Sequence, residues 1–249
     1  MSQVTQQVDF LICGAQKAGT SALAKSLKEH PDIYMSEQKE LHFFDNDGYF
    51  QTNQPNYENY HQHFVNAQSH QLWGEATPAY MYWQTSPQRM HQYNPHLKLI
   101  VILRNPIERA YSHWNMQQHN KAHTFSFREA LQHELSLKAQ GVTEHKKFSC
   151  MSRGFYSQQL QRIQQYFPKQ QLLALKYDTF KNDPQQTLNL VSQFLQIELV
   201  DIKQVNEVYA LPYSSQISTE DKAYLQSIFT QEIRNLESML GWGCHDWLV

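Results

Sequence analysis

Short apolar runs alternate along the chain with longer segments whose apolar residues recur every three or four positions. The first apolar run, at 10–13, is bounded by Gly14 and is typical of a buried strand. Residues 18–27 then follow helical spacing. The strongest strand signal is the run at 97–103. Strands that alternate with helices indicate an α/β fold with a parallel sheet and right-handed crossovers.

The same alternation continues through the rest of the chain. Weaker strand signals lie at 32–35, 71–74 and 172–177. Further helical patterns lie at 57–65, 106–119, 126–138, 153–166, 184–195 and 219–240. Asn105 is a favourable N-cap and Pro106 a favourable first residue for the helix that follows the strongest strand. Segments 46–56 and 139–149 are polar and predict loops, the second of them mobile. We expect one domain over 1–249, with 1–7 as a flexible N-terminus.

Composition sets limits on the function. The chain has 249 residues and a net charge of -2, so no global basic field indicates binding to nucleic acid or to a membrane surface. The N-terminus lacks the features of a secretory signal, and no apolar stretch is long enough to span a bilayer. Three cysteines, with Cys13 in a buried strand, argue against a disulfide framework, although a Cys150–Cys244 bond stays open. We therefore predict a cytoplasmic protein.

The segment between the first strand and the first helix has the features of an anion site. Residues 14–21 read Gly-Ala-Gln-Lys-Ala-Gly-Thr-Ser, and two glycines allow backbone amides to turn toward one point at a helix start. The spacing is similar to the Walker A pattern, but Thr20 stands where a nucleoside triphosphatase has lysine. The lysine is instead Lys17, inside the loop. Phosphate binding is supported, whereas the usual ATP chemistry is not.

Two charged residues follow predicted strands. Glu75 comes after 71–74, and Arg104 comes after 97–103. Open α/β sheets place their ligands at the carboxyl ends of parallel strands. Arg104 offers a two-pronged donor for phosphate, although an ion pair with Glu108 is the alternative. Glu75 is either a general base or a carboxylate in a structural cap or ion pair.

Four blocks, in order, resemble the sulfotransferases that use 3'-phosphoadenosine 5'-phosphosulfate (PAPS), particularly the branch of heparan sulfate and bacterial carbohydrate sulfotransferases. The blocks are 14–21, similar to the 5'-phosphosulfate loop; 39–44, similar to the segment of lysine, histidine and aromatic residues that follows; 74–80, similar to the block of the catalytic glutamate; and 101–112, similar to the 3'-phosphate block. Weaker similarity lies at 153–160 and 177–184. Two departures are Ala76, where many relatives have a basic residue, and 208–213, where the cofactor-covering loop of many relatives is basic.

The resemblance implies a sulfotransferase fold, a P-loop-type central parallel sheet flanked by helices. It implies transfer of a sulfuryl group from PAPS to a hydroxyl or amine, with adenosine 3',5'-bisphosphate as product and no metal required. The acceptor it implies is a carbohydrate or related small molecule. Scattered histidines without partners at ligand spacing agree with the absence of a metal site.

The resemblance also implies roles for individual residues. The catalytic residues are Lys17, Glu75 as general base, and His42. Lys39 and His42 bind the acceptor. The cofactor-binding residues are Gly14, Gln16, Lys17, Ala18, Gly19, Thr20, Ser21, Arg104, Ser112, Arg153 and Tyr156. Two alternatives remain: a P-loop nucleotide kinase or triphosphatase, which needs the lysine missing at position 20, and a catalytically inactive nucleotide-binding protein of sulfotransferase-like fold.

Overall fold

A parallel sheet is the centre of the molecule in the computed structural model, which describes residues 6–52, 55–201, 211–213 and 215–248. Its strands are β1 (Phe10–Gly14), β2 (Ile33–Met35), β3 (Leu72–Ala76), β4 (Lys98–Leu103) and β5 (Leu172–Lys176). Their order across the sheet is β2-β3-β1-β4-β5, and each neighbouring pair is parallel. The predicted α/β class and parallel sheet are confirmed.

Helices connect the strands and pack against the sheet. In chain order they are α1 (Thr20–Lys28), α2 (Tyr57–His61), α3 (Ser86–Tyr93), α4 (Pro106–His119), α5 (Phe127–Ala139), α6 (Tyr156–Gln164), α7 (Tyr177–Asn182), α8 (Pro184–Leu195) and α9 (Thr219–Leu240). Short 3-10 helices lie at Asp47–Phe50, Gln62–Phe64, Ser152–Gly154, Lys169–Gln171 and His245–Trp247. In the part of the chain so described, no helix is both long and apolar enough to cross a membrane.

The position of β1 determines where a ligand site can form. All five residues of β1 are buried, and β1 lies between β3 and β4. The chain leaves β1 toward one edge of the sheet, through β2 and β3, and then crosses to the other side to form β4. This reversal opens a crevice at the carboxyl ends of the strands. Segments 14–21, 75–77 and 104–105 therefore meet at one edge of the sheet.

Local signals set the start of α4 as the sequence predicts. The side chain of Asn105 accepts a hydrogen bond from the Ile107 amide at 3.0 Å, and Pro106 is the first helical residue. The missing N–H of Pro106 removes no bond there, because the first amides of a helix have no partner within the helix. Since α4 directly follows β4, this cap fixes Arg104 at the junction between strand and helix.

Several boundaries differ from the sequence-based expectations. Helices α3 and α7 were not predicted, because both are short and α3 is mostly polar. Within the predicted loop 46–56 the chain forms the Asp47–Phe50 turn. In the predicted N-terminal segment 1–7, the Gln6 and Gln7 side chains donate to the carbonyls of Gln71 and Tyr93, at 3.1 and 2.7 Å. Residues 1–5 lie outside the described ranges.

The cysteines form no disulfide. Cys13, Cys150 and Cys244 are all free and buried, so the Cys150–Cys244 bond that the sequence left open is absent from the structure. Burial raises the pKa of the Cys244 thiol to about 11, which keeps it protonated at neutral pH. The thiols therefore act as small apolar groups in the core.

Candidate active site

The loop after β1 has the geometry of an anion site. Lys17 and Gly19 both have positive φ, at 69° and 93°, so the chain turns sharply before α1 begins. Gly19 is the N-cap of α1 and supplies no side-chain cap, which leaves the first amides of the helix for another acceptor. A Cβ at Gly19 would lie 3.0 Å from the Tyr177 ring, and one at Gly14 would collide with Met81. Both glycines are therefore needed for this loop.

The predicted loop residues differ in exposure. Ala18 and Thr20 are buried, whereas Gln16, Lys17 and Ser21 are partly exposed. Burial and the neighbouring Arg104 lower the pKa of Lys17, and the charge of Glu40 opposes them. The Lys17 loop follows β1, Arg104 follows the neighbouring β4, and the Glu40 amide bonds to the end of β3, so the three side chains come from one edge of the sheet.

Arg104 already has an anionic partner. Its Nε and Nη2 donate to Oε2 of Glu108, one turn along α4, at 3.0 and 2.7 Å. The guanidinium lies 5.0 Å from the centre of the Tyr177 ring. Although burial opposes the shift, the hydrogen bond and charge of Glu108 raise the pKa of Arg104. The ion pair considered from sequence is therefore present, and it holds the guanidinium beside the phosphate loop.

Tyr156 and Arg153, which the resemblance assigns to the cofactor, are both buried. Tyr156 is fully buried, and its hydroxyl donates to the carbonyl oxygen of Arg104 at 2.9 Å. Arg153 is 4% exposed, donates from Nε to the Ser149 hydroxyl, and lies 4.2 Å from the Tyr82 ring centre. Tyr156 therefore positions the backbone of Arg104, and Arg153 belongs to the protein interior.

A segment late in the chain lies against the predicted 3'-phosphate helix. The Tyr111 hydroxyl donates to the Ser215 carbonyl at 2.9 Å, and the Tyr213 ring stacks on Tyr111 with centres 5.6 Å apart. Tyr213 also contributes to the pKa of Arg104. Ser112, next along α4, is buried. Of the predicted covering loop 208–213, residues 208–210 lie outside the described ranges.

Glu75 lies within β3, whereas the sequence placed it at the strand's end. Its side chain is 0% exposed, and its carboxylate accepts hydrogen bonds from the hydroxyls of Tyr60 at 2.6 Å, Tyr80 at 3.0 Å and Thr77. Burial raises the pKa of Glu75, while these three hydrogen bonds oppose the shift. Both carboxylate oxygens are thus engaged below the surface of the site.

Sequence analysis missed a second carboxylate, Glu40. The side chain of Glu40 is 34% exposed, and its amide donates to the Ala76 carbonyl at 3.0 Å, which fixes it at the end of β3. It forms an ion pair with the partly exposed Lys39. Burial alone would raise the pKa of Glu40, but His42 and Lys39 lower it to about 2. Glu40 is therefore an ionised carboxylate that faces solvent and influences Lys17.

His42 completes this segment. Its Nδ1 is 2.8 Å from Oδ2 of the buried Asp45, and its Nε2 is 3.6 Å from Oε2 of Glu40. The hydrogen bond to Asp45 and the nearby Glu40 carboxylate raise the pKa of His42 to about 9. The imidazole is consequently protonated at neutral pH. The polar residues at 40, 42 and 45 within an aromatic stretch were the signal in the sequence from which Glu40 and Asp45 could have been found.

Comparisons with known proteins agree on one family. Residues 7–234 match the family model described as sulfotransferase domain. Human heparan sulfate glucosamine 3-O-sulfotransferase 6 is 31% identical over 195 residues, which cover 76% of this chain and 52% of that protein. Mouse bifunctional heparan sulfate N-deacetylase/N-sulfotransferase 2 is 30% identical over 206 residues, covering 76% of this chain and 22% of that protein. The chain thus spans about half, or less, of the length of these relatives.

Solved structures give the same result for the fold. A crystal structure of a sulfotransferase from Alicyclobacillus acidocaldarius has a TM-score of 0.84 and 25% identity, and the match covers 98% of this chain and 99% of that one. Mouse sulfotransferase SULT7A1, solved in complex with PAP, has a TM-score of 0.59 and 14% identity over 92% of this chain and 85% of that one. The second similarity concerns the fold alone.

Proposed function

This chain belongs to the sulfotransferase domain family, and from that membership we propose that it transfers a sulfuryl group from PAPS to a hydroxyl or amine of a carbohydrate or related small molecule. The observation that carries the proposal is that Lys17 and Arg104 follow the paired parallel strands β1 and β4, beside the uncapped start of α1. The names of the heparan sulfate relatives support a sugar acceptor.

In this proposal the donor lies across the ends of β1 and β4. The loop amides and the side chains of Lys17, Thr20 and Ser21 bind the 5'-phosphosulfate, and Arg104 with Ser112 binds the 3'-phosphate. Lys17 balances the charge that grows on the leaving phosphate as the S–O bond breaks. Removal of one preorganised donor of this kind raises a barrier by about 3–4 kcal/mol. Alignment and charge stabilisation then supply most of the catalysis, as in phosphoryl transfer.

Two carboxylates compete for the role of general base. The resemblance assigned it to Glu75, yet Glu75 is fully buried and both of its oxygens accept hydrogen bonds from hydroxyls. A general base must approach the acceptor proton to about 3 Å. Glu40 is ionised and partly exposed, but a carboxylate whose pKa is held at about 2 is a weak base. Burial raises the pKa of Glu75, which favours proton uptake. We therefore keep Glu75 as the general base, acting once the acceptor rearranges the hydrogen bonds of its carboxylate, and Glu40 as the alternative.

Glu40→Gln and Glu75→Gln separate the two assignments. If Glu75 is the base, Glu75→Gln, measured where it is folded, binds adenosine 3',5'-bisphosphate normally and loses turnover by about 10²- to 10⁴-fold. Glu40→Gln then keeps more turnover than Glu75→Gln. The reverse order would assign the base to Glu40. Sulfated product is measured by mass spectrometry over a panel of hydroxyl- and amine-bearing sugars.

Ligand-dependent stability tests the donor. Thermal unfolding is measured with adenosine 3',5'-bisphosphate and, separately, with ATP and magnesium. Because only a ligand that binds the folded state raises the unfolding temperature, we expect the bisphosphate alone to stabilise the protein. Stabilisation by ATP without any effect of the bisphosphate would support the kinase alternative instead. Binding of the bisphosphate with no sulfated acceptor in the panel would support the inactive alternative.

The cytoplasm remains the location that we propose. Its support is chemical: three cysteines are unpaired in the structure, as thiols are in a reducing compartment. Cell fractionation of the tagged full-length protein tests this proposal, and recovery in a membrane or secreted fraction would contradict it.

A further inference from the structure

Three basic side chains are buried together between α4 and segment 149–154. Arg109 and His113 lie four residues apart on α4 and so share one face of the helix. Arg109 Nη2 donates to the Cys150 carbonyl, and Arg153 Nε donates to the Ser149 hydroxyl at 2.9 Å. Arg109 and His113 are fully buried, and Arg153 almost so. We refer to these three residues as the basic cluster.

The basic cluster has unused hydrogen-bonding atoms. Nε and Nη1 of Arg109, Nη1 of Arg153 and Nδ1 of His113 are all buried, and among the described residues they have no hydrogen-bond partner. Buried polar atoms are normally paired, and a charged group without partners lowers stability more than a neutral one. Two arginines with free donors in one place therefore call for an acceptor of hydrogen bonds that also carries negative charge.

The acidic residues nearby are partly engaged. The carboxylate of Glu134 accepts hydrogen bonds from the amides of Met151 and Ser152, at 2.8 and 2.7 Å. Asp45 binds His42 through Oδ2, and its buried Oδ1 has no hydrogen-bond partner among the described residues. Neither carboxylate pairs with the unused donors of the basic cluster, and the planar donor fork of an arginine matches the geometry of an oxyanion.

The basic cluster adjoins the proposed active site. Arg153 packs on the Tyr82 ring, and the neighbouring Met81 donates from its amide to the Cys13 carbonyl at 2.8 Å, directly before the β1 loop. The donor phosphates have separate proposed partners in the β1 loop and at Arg104. An anion in the basic cluster would therefore be part of the other substrate.

We propose that the basic cluster binds an oxyanion, a carboxylate or sulfate group, carried by the acceptor. This inference rests on the proposed function, because it takes the Lys17 loop as the donor site. It narrows the acceptor to an acidic saccharide or a comparable acidic molecule. Arg109 and Arg153 supply the charge, and the neutral His113 supplies a further hydrogen bond.

A loop controls access to the basic cluster. Arg153 packs on the Tyr82 ring, and the Tyr82 hydroxyl donates to the Thr143 carbonyl at 3.3 Å. The Gln84 amide donates to the Glu144 carboxylate at 2.6 Å. Much of 141–148 is otherwise exposed. An acceptor group reaches the arginines when this loop separates from Tyr82, which requires the loss of these hydrogen bonds and of the one from the His145 amide to the Tyr82 hydroxyl.

The test uses the full-length protein saturated with adenosine 3',5'-bisphosphate, so that the donor site is occupied. Sodium sulfate, sodium glucuronate, sodium chloride and glucose are titrated at constant ionic strength, and the unfolding temperature is recorded. We expect sulfate, glucuronate or both to raise the unfolding temperature with a saturable dependence that chloride and glucose lack. A response to glucuronate identifies a sugar-borne carboxylate, and a response to sulfate alone identifies a sulfate group.

Variants then locate the binding. Arg109→Gln and Arg153→Gln should each weaken the oxyanion response about ten- to a hundredfold, which is the effect of losing one charged hydrogen-bond donor. Arg89→Gln is the matched control, because Arg89 is also largely buried but is fully paired with Phe44 and Asp47. Arg153→Lys, which keeps the charge, covers the case in which a glutamine variant does not fold, and it should retain part of the response.

The outcomes separate this inference from the proposed function. Binding of the bisphosphate without a saturable oxyanion response overturns the anion subsite and leaves the donor site intact. A response that survives in both arginine variants also overturns it. Failure of the bisphosphate itself to bind contradicts the proposed function and the subsite together.

Discussion

The guanidinium of Arg104 and the carboxylate of Glu108 form an ion pair across the first turn of α4, with Nη2 and Oε2 2.7 Å apart. A 3'-phosphate at Arg104 would share its donors with this carboxylate or displace it. The pair therefore keeps Arg104 in place before the donor binds and competes with the donor afterwards.

Neutralisation of Glu108 tests this competition. We expect Glu108→Gln to bind adenosine 3',5'-bisphosphate about two- to tenfold more tightly, because an exposed ion pair contributes only about 1 kcal/mol or less. Isothermal titration calorimetry at two salt concentrations measures the change. Glu58→Gln, which removes an exposed carboxylate on α2, is the control and should leave binding unchanged. Weaker binding in Glu108→Gln would show that the ion pair supports the phosphate site.

Lys17 should illustrate a conflict between stability and activity. Burial and Arg104 disfavour its charge in the folded protein. We expect Lys17→Gln to raise the unfolding temperature of the ligand-free protein and to lower turnover by about 10²- to 10³-fold. The pKa of Lys17 is lower in the folded protein than in the unfolded chain. At a pH between these two pKa values the unfolded chain binds more protons, so the free energy of unfolding rises with pH. Lys17→Gln should lack that rise, and a fall in its unfolding temperature at neutral pH would contradict the prediction.

His42 should make stability depend on pH in the opposite direction. Asp45 and Glu40 raise the pKa of His42 from 6.5 to about 9. The contribution of His42 to the free energy of unfolding is therefore complete below pH 6.5 and is lost as the pH rises through 9. The imidazole is 45% exposed, and after solvent screening we expect a loss of about 1 kcal/mol over this range. Urea unfolding from pH 6 to 9.5 measures it. In His42→Gln the slope should be smaller, and an unchanged slope would exclude His42 as its source.

Glu75 and Glu40 should differ in stability as well as in turnover. Glu75→Gln replaces a carboxylate that accepts from three hydroxyls with an amide that also donates, which we expect to cost about 1–3 kcal/mol of unfolding free energy. Glu40→Gln changes a partly exposed side chain and should cost less. Chemical unfolding of both variants in one buffer provides the comparison. Equal stability of the two variants would mean that the network around Glu75 contributes little.

The sequence predicted the parts of the fold that local signals determine. The run at 97–103 and the Asn105-Pro106 pair locate β4 and the start of α4, because strand propensity and helix capping act over a few residues. The β1 loop was likewise predicted from its two glycines and Lys17. Helix α7 was missed because it begins directly where β5 ends, with no loop between them to signal a new element.

Local sequence signals could not predict the surroundings of the Glu75 carboxylate. Tyr60 and Tyr80, which donate to Glu75, are separated from it by 15 and 5 positions in the sequence. They contact Glu75 only because α2 and the loop after β3 pack against it. A motif marked Glu75 as a charged residue near a strand end but carried no information about its burial. Similarly, Arg109 appeared as an ordinary helical arginine, and only the approach of segment 149–154 shows that its Nε and Nη1 are buried with no partner among the described residues.

The hydrogen bond from Tyr156 to the carbonyl of Arg104 has a consequence for ligand exchange. Tyr156 begins α6 immediately after the 149–154 segment, so one hydroxyl ties the wall of the basic cluster to the residue at the end of β4. If an acidic acceptor moves that wall, it also moves the backbone of Arg104, and occupancy of the two ends of the site is then thermodynamically linked: whatever factor the acceptor applies to the affinity for the bisphosphate, the bisphosphate applies to the affinity for the acceptor.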